Sequence, residues 1–235
     1  MNFRVALFHI ALLVSARLFA GDYPAFRADL QPGAFCDIAI KELHPTQFNV
    51  GKIEVEKRAK KIAKMPDWKL ATYMNNHILP VVIGPGGAPF VTDHHHFACA
   101  IAGSGRSDVV HARILGNFRE LGDAEFWTRM KRVDWVYLLD KGEGPKDPHK
   151  LPQHLADMSD DPFRSLAWAV RDRGGYGIDD NAAYADFHWA DFFRTRMKIG
   201  DGKEGFDHAV DEALKLAHSP EAKDLPGYGL KPEKE

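Results

Sequence analysis

The sequence predicts an α+β protein, a small mixed-sheet lobe followed by a helical lobe. Up to about Asn117, short apolar runs of strand length alternate with helical periodicities and Gly/Pro-marked turns. Beyond that point the apolar spacing is helical and rich in aromatic residues. The composition, 45% hydrophobic and 27% charged over 235 residues, suits one globular domain or a domain with an appended lobe.

Residues 1–20 read as an export signal. Arg4 supplies the positive start, Val5 to Val14 is almost wholly apolar apart from His9, and small residues follow at Ser15, Ala16, Ala20 and Gly21. The run falls short of the roughly 20 apolar residues that span a bilayer. No cysteine follows it to carry a lipid, so no stable membrane anchor is expected and the chain is read as periplasmic or extracellular. Without the two arginines of that segment, 29 basic face 33 acidic side chains, a formal charge of −4. That balance argues against a broad cationic coat for nucleic acid but leaves room for a local basic groove. In an exported protein, Cys36 and Cys99 can either form one disulfide or remain two buried thiols.

Residues 21–118 form the predicted α/β domain. Phe35 to Ile40 alternates as a strand, and Leu43-His44-Pro45 ends it. Ile53 to Met65 carries Val55, Ala59, Ile62 and Ala63 at helical spacing, with most of its lysines, Lys57 among them, on the other face. Asp67 is expected to cap a helix over Trp68 to Asn75. Pro80 to Ile83, the turn Gly84 to Pro89 and the return Phe90-Val91-Thr92 read as a strand pair. The helix after Thr92 stops at Gly103-Ser104-Gly105, and Val109 to Leu115 is a further strand. Residues 119–219 form the helical lobe, with helices over Ala124 to Asp134, Pro162 to Arg173, Tyr184 to Lys198 and Phe206 to His218. Lys141 to Pro152 is a loop, and the tail 220–235 is expected to be weakly ordered.

The chemistry concentrates at Asp93-His94-His95-His96, at the start of a predicted helix. Each imidazole there can accept a proton, donate one or bind a metal near neutral pH, and unpaired backbone N–H groups favour anions. Adjacent helical residues lie about 100° apart, so the three rings cannot serve one metal from one regular helix. From a turn, two or three of them can converge. A divalent metal, Mg²⁺, Mn²⁺ or Zn²⁺ held by His94, His95 and His96, would then polarise a phosphate. Without a metal, one neutral histidine can act as base and a second, protonated, as acid, with Asp93 orienting a ring or capping the helix.

Four stretches together resemble the ParB/sulfiredoxin fold and, within it, the ParB-like nuclease family. They are Leu43-His44-Pro45-Thr46-Gln47 with Val50-Gly51; Pro80-Val81-Val82; Asp93-His94-His95-His96; and Asp160-Asp161-Pro162-Phe163-Arg164-Ser165-Leu166-Ala167-Trp168. The last two are the more specific, and the likeness spans roughly residues 35–196. It implies hydrolysis of phosphodiester bonds in nucleic acid or another phosphate-containing substrate. In the wider fold a Gly-x-His-Arg-like turn holds nucleotide phosphates. Here Asp93 replaces the glycine and adds negative charge, and His96 stands in place of a bidentate arginine. Both changes disfavour ATP or CTP and suit an acid–base or metal role. Gln47, Lys57 and Arg164 fall where the likeness is good and are the candidate substrate-binding residues. Arg164 and Arg171, seven residues apart, share a helix face and, with Arg194 and Arg196, suggest a phosphate-contacting strip; pairing with nearby acids is the plainer account. Two other readings stay open: nucleotide-dependent phosphoryl transfer as in the wider fold, and a non-enzymatic metal- or ligand-binding envelope protein.

Overall fold

The structure, a computed structural model, describes residues 23–179 and 182–230. The expected export signal lies outside the described residues. Among those described, no helix is long and apolar enough to cross a membrane.

A five-stranded mixed sheet carries the first lobe. Its strands are β1 (Phe35–Ala39), β2 (His44–Pro45), β4 (Leu79–Ile83), β5 (Pro89–Val91) and β6 (Val109–Asn117), in the order β1-β6-β4-β5-β2. β1 and β6 pair antiparallel, as do β4 and β5; β4–β6 and β2–β5 are parallel. The alternation of β4 explains the two faces of the sheet. Val81 and Ile83 point into a core shared with Ile38, Val110, Ala112 and Ile114, while Val82 points to the other side. A bulge opposite Val81 and Val82 skips Leu115, which joins Val82 on that second face.

Helices α1 (Lys52–Ala63), α2 (Asp67–Asn75) and α3 (His95–Ser104) cover the first face, with Ala59, Ile62, Leu70, Ala98 and Ile101 buried there. Pro66, not Asp67, occupies the cap position of α2; Asp67 is the first helical residue, and its side chain accepts from Arg106 Nη2 at 2.6 Å. Gly105, at φ 66°, ends α3 in the left-handed conformation that glycine adopts without a steric penalty.

The second face is covered by α4 (Asp123–Arg132), whose Phe126, Trp127 and Met130 pack with Phe48, Val82 and Val136. α4 lies beyond the boundary expected near residue 119, yet it packs on the sheet. The sheet has two apolar faces, and α4 belongs to the lobe whose second face it covers. The helical lobe proper begins at α5 (Pro162–Asp172) and continues through α6 (Ala185–Arg194) and α7 (Gly202–Ala217), with Leu166, Trp189, Phe193 and Ala213 fully buried between them. The aromatic run of α6 is this core: Trp189 stacks on Tyr176 at 4.3 Å.

The tail is not loose over its described part. Ala222 is fully buried, and Trp189 Nε1 donates to the Pro226 carbonyl at 2.7 Å, so the need to close a buried indole N–H fixes the chain there. Cys36 and Cys99 are free thiols. The disulfide alternative is therefore not the one the structure holds, and burial pushes the two thiols up to about 11 and about 12. The two-residue strands β3 (Asn49–Val50) and β7 (Ser159–Asp160) form a separate parallel pair that ties the sheet lobe to the start of the helical lobe.

Candidate functional site

Gly51 is the N-cap of α1 and brings no side chain to close the orphan N–H groups that follow it. Other elements do so. The Gly51 N–H donates to His96 Nε2 at 2.8 Å, Lys52 N–H to Asp160 Oδ1 at 2.8 Å, and Ile53 N–H to Ser165 Oγ at 3.2 Å. A β-carbon at residue 51 would lie 2.5 Å from the Ser165 nitrogen, so only glycine lets α1 and α5 meet. The stretch Asp160–Ser165 thus serves two helices. Asp160 and Ser165 close the start of α1, while Asp161 caps α5 by accepting from Phe163 N–H at 3.0 Å. Asp161 also receives both terminal nitrogens of Arg194, at 3.1 and 2.7 Å.

The histidine cluster splits three ways. His94 sits at φ 63°, left-handed, with its N–H held by Asp93 Oδ1 at 2.6 Å, and is exposed. That reversal turns the chain into α3 and sends consecutive side chains apart. His95 is 2% exposed and its Nε2 accepts from Thr46 N–H at 3.2 Å. Burial pushes its pKa down to about 3, against the pull of Asp93. His96 is nearly buried, and desolvation followed by the nearby Arg164 charge holds it well below the usual imidazole range. Both Nε2 atoms are acceptors, so both rings are neutral with the proton on Nδ1.

The expected gathering of His94, His95 and His96 around one metal is therefore not what the chain forms. The lone pairs of His95 and His96 that would bind a cation are taken by backbone N–H groups. Among the described residues no three His, Cys, Asp or Glu side chains are arranged to hold a metal ion. His95 is a stitch between the β2 edge and α3.

A cavity of about 440 Å³ opens between the lobes. From the sheet lobe Gln47, Asp93, His95 and His96 reach it; from the helical side come Arg164, Arg171, Tyr176 and Asp186. His94 does not line it. Neither does Lys57, whose ammonium lies over the Trp168 ring at 5.2 Å on the exposed face of α1. Gln47 is 7% exposed and donates to the Asn49 carbonyl at 2.7 Å, which leaves its side-chain carbonyl for other partners.

Two carboxylates supply the electrostatics. Asp186 accepts from Arg171 Nη1 at 2.5 Å and from the Tyr176 hydroxyl at 2.9 Å. Burial alone would raise its pKa, but Arg171 and Arg164 hold it below the usual range. Glu54, 4% exposed on α1, pairs with Arg58 Nε at 2.9 Å and lies 3.5 Å from His96 Nε2. Desolvation pushes Glu54 up to about 7 despite Arg58.

Arg164 stands apart. It is 6% exposed, its guanidinium lies over Phe187 at 3.4 Å, and its Nε and Nη1 have no hydrogen-bond partner. A buried cation with open donors is costly, on the order of 1–3 kcal/mol for each unmet charged hydrogen bond. Folded proteins keep such groups where something else completes them.

The model of the family described as "Putative ParB-like nuclease" matches residues 36–195. The chain belongs to the ParB-like nuclease family. A solved structure, protein Atu1540 from Agrobacterium tumefaciens, aligns with a TM-score of 0.75 and 37% identity over 85% of this chain and 98% of that one. No curated protein matches the chain. The family match covers both walls of the cavity, from the sheet through α6. In this ParB-like nuclease chain, the position where the wider fold is expected to carry a phosphate-binding arginine is His96, and the guanidinium groups that line the cavity are those of Arg164 and Arg171 in the helical lobe. Sequence reasoning named Arg164 but missed Glu54, Tyr176 and Asp186. For Glu54 a signal was present: Glu54 and Arg58 form an i, i+4 pair that continues to Ile62 on the apolar stripe of α1, where a charged pair is unexpected.

Proposed function

We propose that this ParB-like nuclease family member is an exported hydrolase of phosphodiester bonds, nucleic acid being the substrate class its family suggests, and that the interlobe cavity is its reaction site. The observation that carries the reading is Arg164, a buried guanidinium that lines the cavity and has two unpartnered donors. A phosphoryl group entering the cavity would balance its charge by a charge-assisted contact.

The neighbouring residues supply the remaining parts. His96 is neutral and donates through Nδ1, a role suited to a developing negative charge on oxygen. Asp93, on the same wall and open to solvent, is the carboxylate to take the proton of an attacking water. Water adds to phosphorus, the bond to the leaving ester oxygen breaks, and that oxygen takes up a proton. Glu54, behind His96 and titrating near neutrality, tunes the charge seen by the ring. No step is assigned to a metal. A cation entering with substrate is tested directly, by assaying with Mg²⁺, Mn²⁺ and Zn²⁺ separately.

Export is part of the proposal and rests on the charged, apolar and small-residue order of residues 1–20. The test is cleavage of DNA and RNA by the purified protein, compared with Arg164→Gln and His96→Ala. Loss of cleavage of at least a hundredfold in Arg164→Gln is expected. Cleavage at the unmodified protein's rate in that variant would overturn the assignment.

A further inference from the structure

The exposed side of α1 concentrates charge that the fold does not use. Residues 52–69 carry seven basic and three acidic side chains, a formal charge of +4 in a chain whose total is −2. All three acids are engaged: Glu54 is buried against Arg58, Glu56 pairs with Lys60 at 3.7 Å, and Asp67 accepts from Arg106 at 2.6 Å. Lys57, Lys61 and Lys64 stand at i, i+4 and i+7 and so line one side of the helix. They are exposed and make no ion pair among the described residues. Asp207, the acid within electrostatic reach of Lys57, is itself bonded to Lys203. The negative end of α1 does not call for these lysines either, because Arg106 Nη1 already donates to the carbonyls of Ile62, Ala63 and Met65 at 3.3, 3.3 and 2.6 Å. Like charges at this spacing repel, so the row costs stability. Four residues past Lys64, Trp68 leaves 73% of its surface in solvent, the most of any large hydrophobic side chain among the described residues.

We propose that this face is a docking strip for a single strand of nucleic acid, the lysines of α1 meeting successive phosphates and Trp68 stacking on an unpaired base. The strip lies outside the cavity and does not depend on whether a strand is cut there. From Lys57 to Lys64 the helix rises about 10 Å, room for about three phosphates at the axial spacing of one strand. Ammonium groups are point charges on flexible stems, which suits backbone contacts that carry no sequence information. The exposed indole adds what a row of charges lacks, a flat apolar face that any unpaired base can cover. In a duplex the bases are already stacked on one another, which favours the single strand. A bilayer surface is the poorer match: a helix lying on one turns its apolar stripe outward, whereas Ala59 and Ile62 of α1 are buried in the core. An acidic polypeptide would meet the lysines without using the indole. α1 begins at the cavity wall, where the Gly51 N–H meets His96, so strip and cavity share one helix.

The test is binding of a fluorescently labelled single-stranded oligonucleotide to the purified protein, followed by anisotropy across roughly 50–200 mM salt. The probes beside it are the corresponding duplex, polyglutamate and vesicles containing phosphatidylglycerol. Lys57→Gln, Lys61→Gln and Lys64→Gln combined change only exposed side chains, so the variant is expected to fold. It should bind the strand at least tenfold more weakly, and its plot of log affinity against log salt should be shallower by about two, the release expected for three phosphate contacts on a single strand. The same three positions changed to arginine should bind as the unmodified protein does. Trp68→Ala should weaken binding at least fivefold with the salt slope unchanged, the mark of stacking and not of charge. The inference falls if the unmodified protein does not bind the strand, or if the glutamine variant binds it with unchanged affinity and slope. It also falls if the duplex, polyglutamate or the vesicles bind as tightly as the strand. Lysine-dependent binding of the strand by a protein that cleaves no nucleic acid would overturn the hydrolase reading while leaving this one in place.

Discussion

Glu54 Oε2 lies 3.5 Å from the same His96 nitrogen that accepts the Gly51 N–H. The contact joins the first turn of α1 to the wall of the cavity, and it places a carboxyl that titrates near neutrality behind a ring that does not. The pair gives the protein opposing pH dependences on its two sides.

On the carboxyl side, the folded-state pKa of Glu54 is about 7 against an ordinary value of 4.5. The protonated form is therefore favoured by folding, and stability declines as pH rises from the unfolded value toward 7. The full effect is on the order of 3 kcal/mol. Thermal melts of Glu54→Gln should show a shallower loss between pH 5 and 7 than the unmodified protein. An identical slope would show that Glu54 is ionised in the fold at all these pH values.

The imidazole side runs the other way. His95 and His96 are held neutral, His95 down to about 3, so their contribution is fully present above the ordinary histidine range and is lost as pH falls below it. Ring nitrogen NMR at pH 5 is expected to find both still neutral with the proton on Nδ1. His95→Ala should cost roughly 1–3 kcal/mol, because the Thr46 N–H is left buried without an acceptor. His94→Ala, at an exposed site with no cavity contact, should leave binding unchanged.

Arg164→Met offers a sharper contrast. It keeps the length of the side chain over Phe187 and removes the unmet donors. Unfolding in urea should show stability unchanged or raised by about 1–2 kcal/mol, while anion binding is lost. A loss of more than about 3 kcal/mol would mark the guanidinium as structural instead.

Asp161 is 1% exposed, caps α5 and receives Arg194 twice. Asp161→Ala is expected to cost about 1–3 kcal/mol, since it removes the cap of α5 and both of its Arg194 contacts, while Arg194 keeps Asp191 at 3.3 Å. Asp161→Asn retains the capping oxygen and should lose less; denaturant midpoints for the two variants separate cap from charge.

Much of this was legible in the residues. The strand pair before Asp93, the glycine stop at Gly105 and the helical periodicity after Asn117 each rest on local pattern, and each corresponds to an element. β2, β3 and β7 are two residues long, too short for any period to register, and they exist because tertiary neighbours pair them. At the site, Asp93, His95, His96, Gln47 and Arg164 do reach one cavity. His94 does not, because its left-handed backbone turns it outward; Lys57 does not, because α1 presents it to solvent. The acceptor role of His96 was hidden because it depends on a glycine 45 residues away that cannot cap its own helix.

The start of α1 also bears on how the chain can be divided. Its three closing side chains come from α3, from β7 and from α5, two of them beyond residue 158. Cutting after residue 118 would leave that first turn open to water and bare the sheet face that α4 covers. The lobes are consequently expected to fold as one unit, and fragments expressed singly should associate or aggregate, not persist as independent modules.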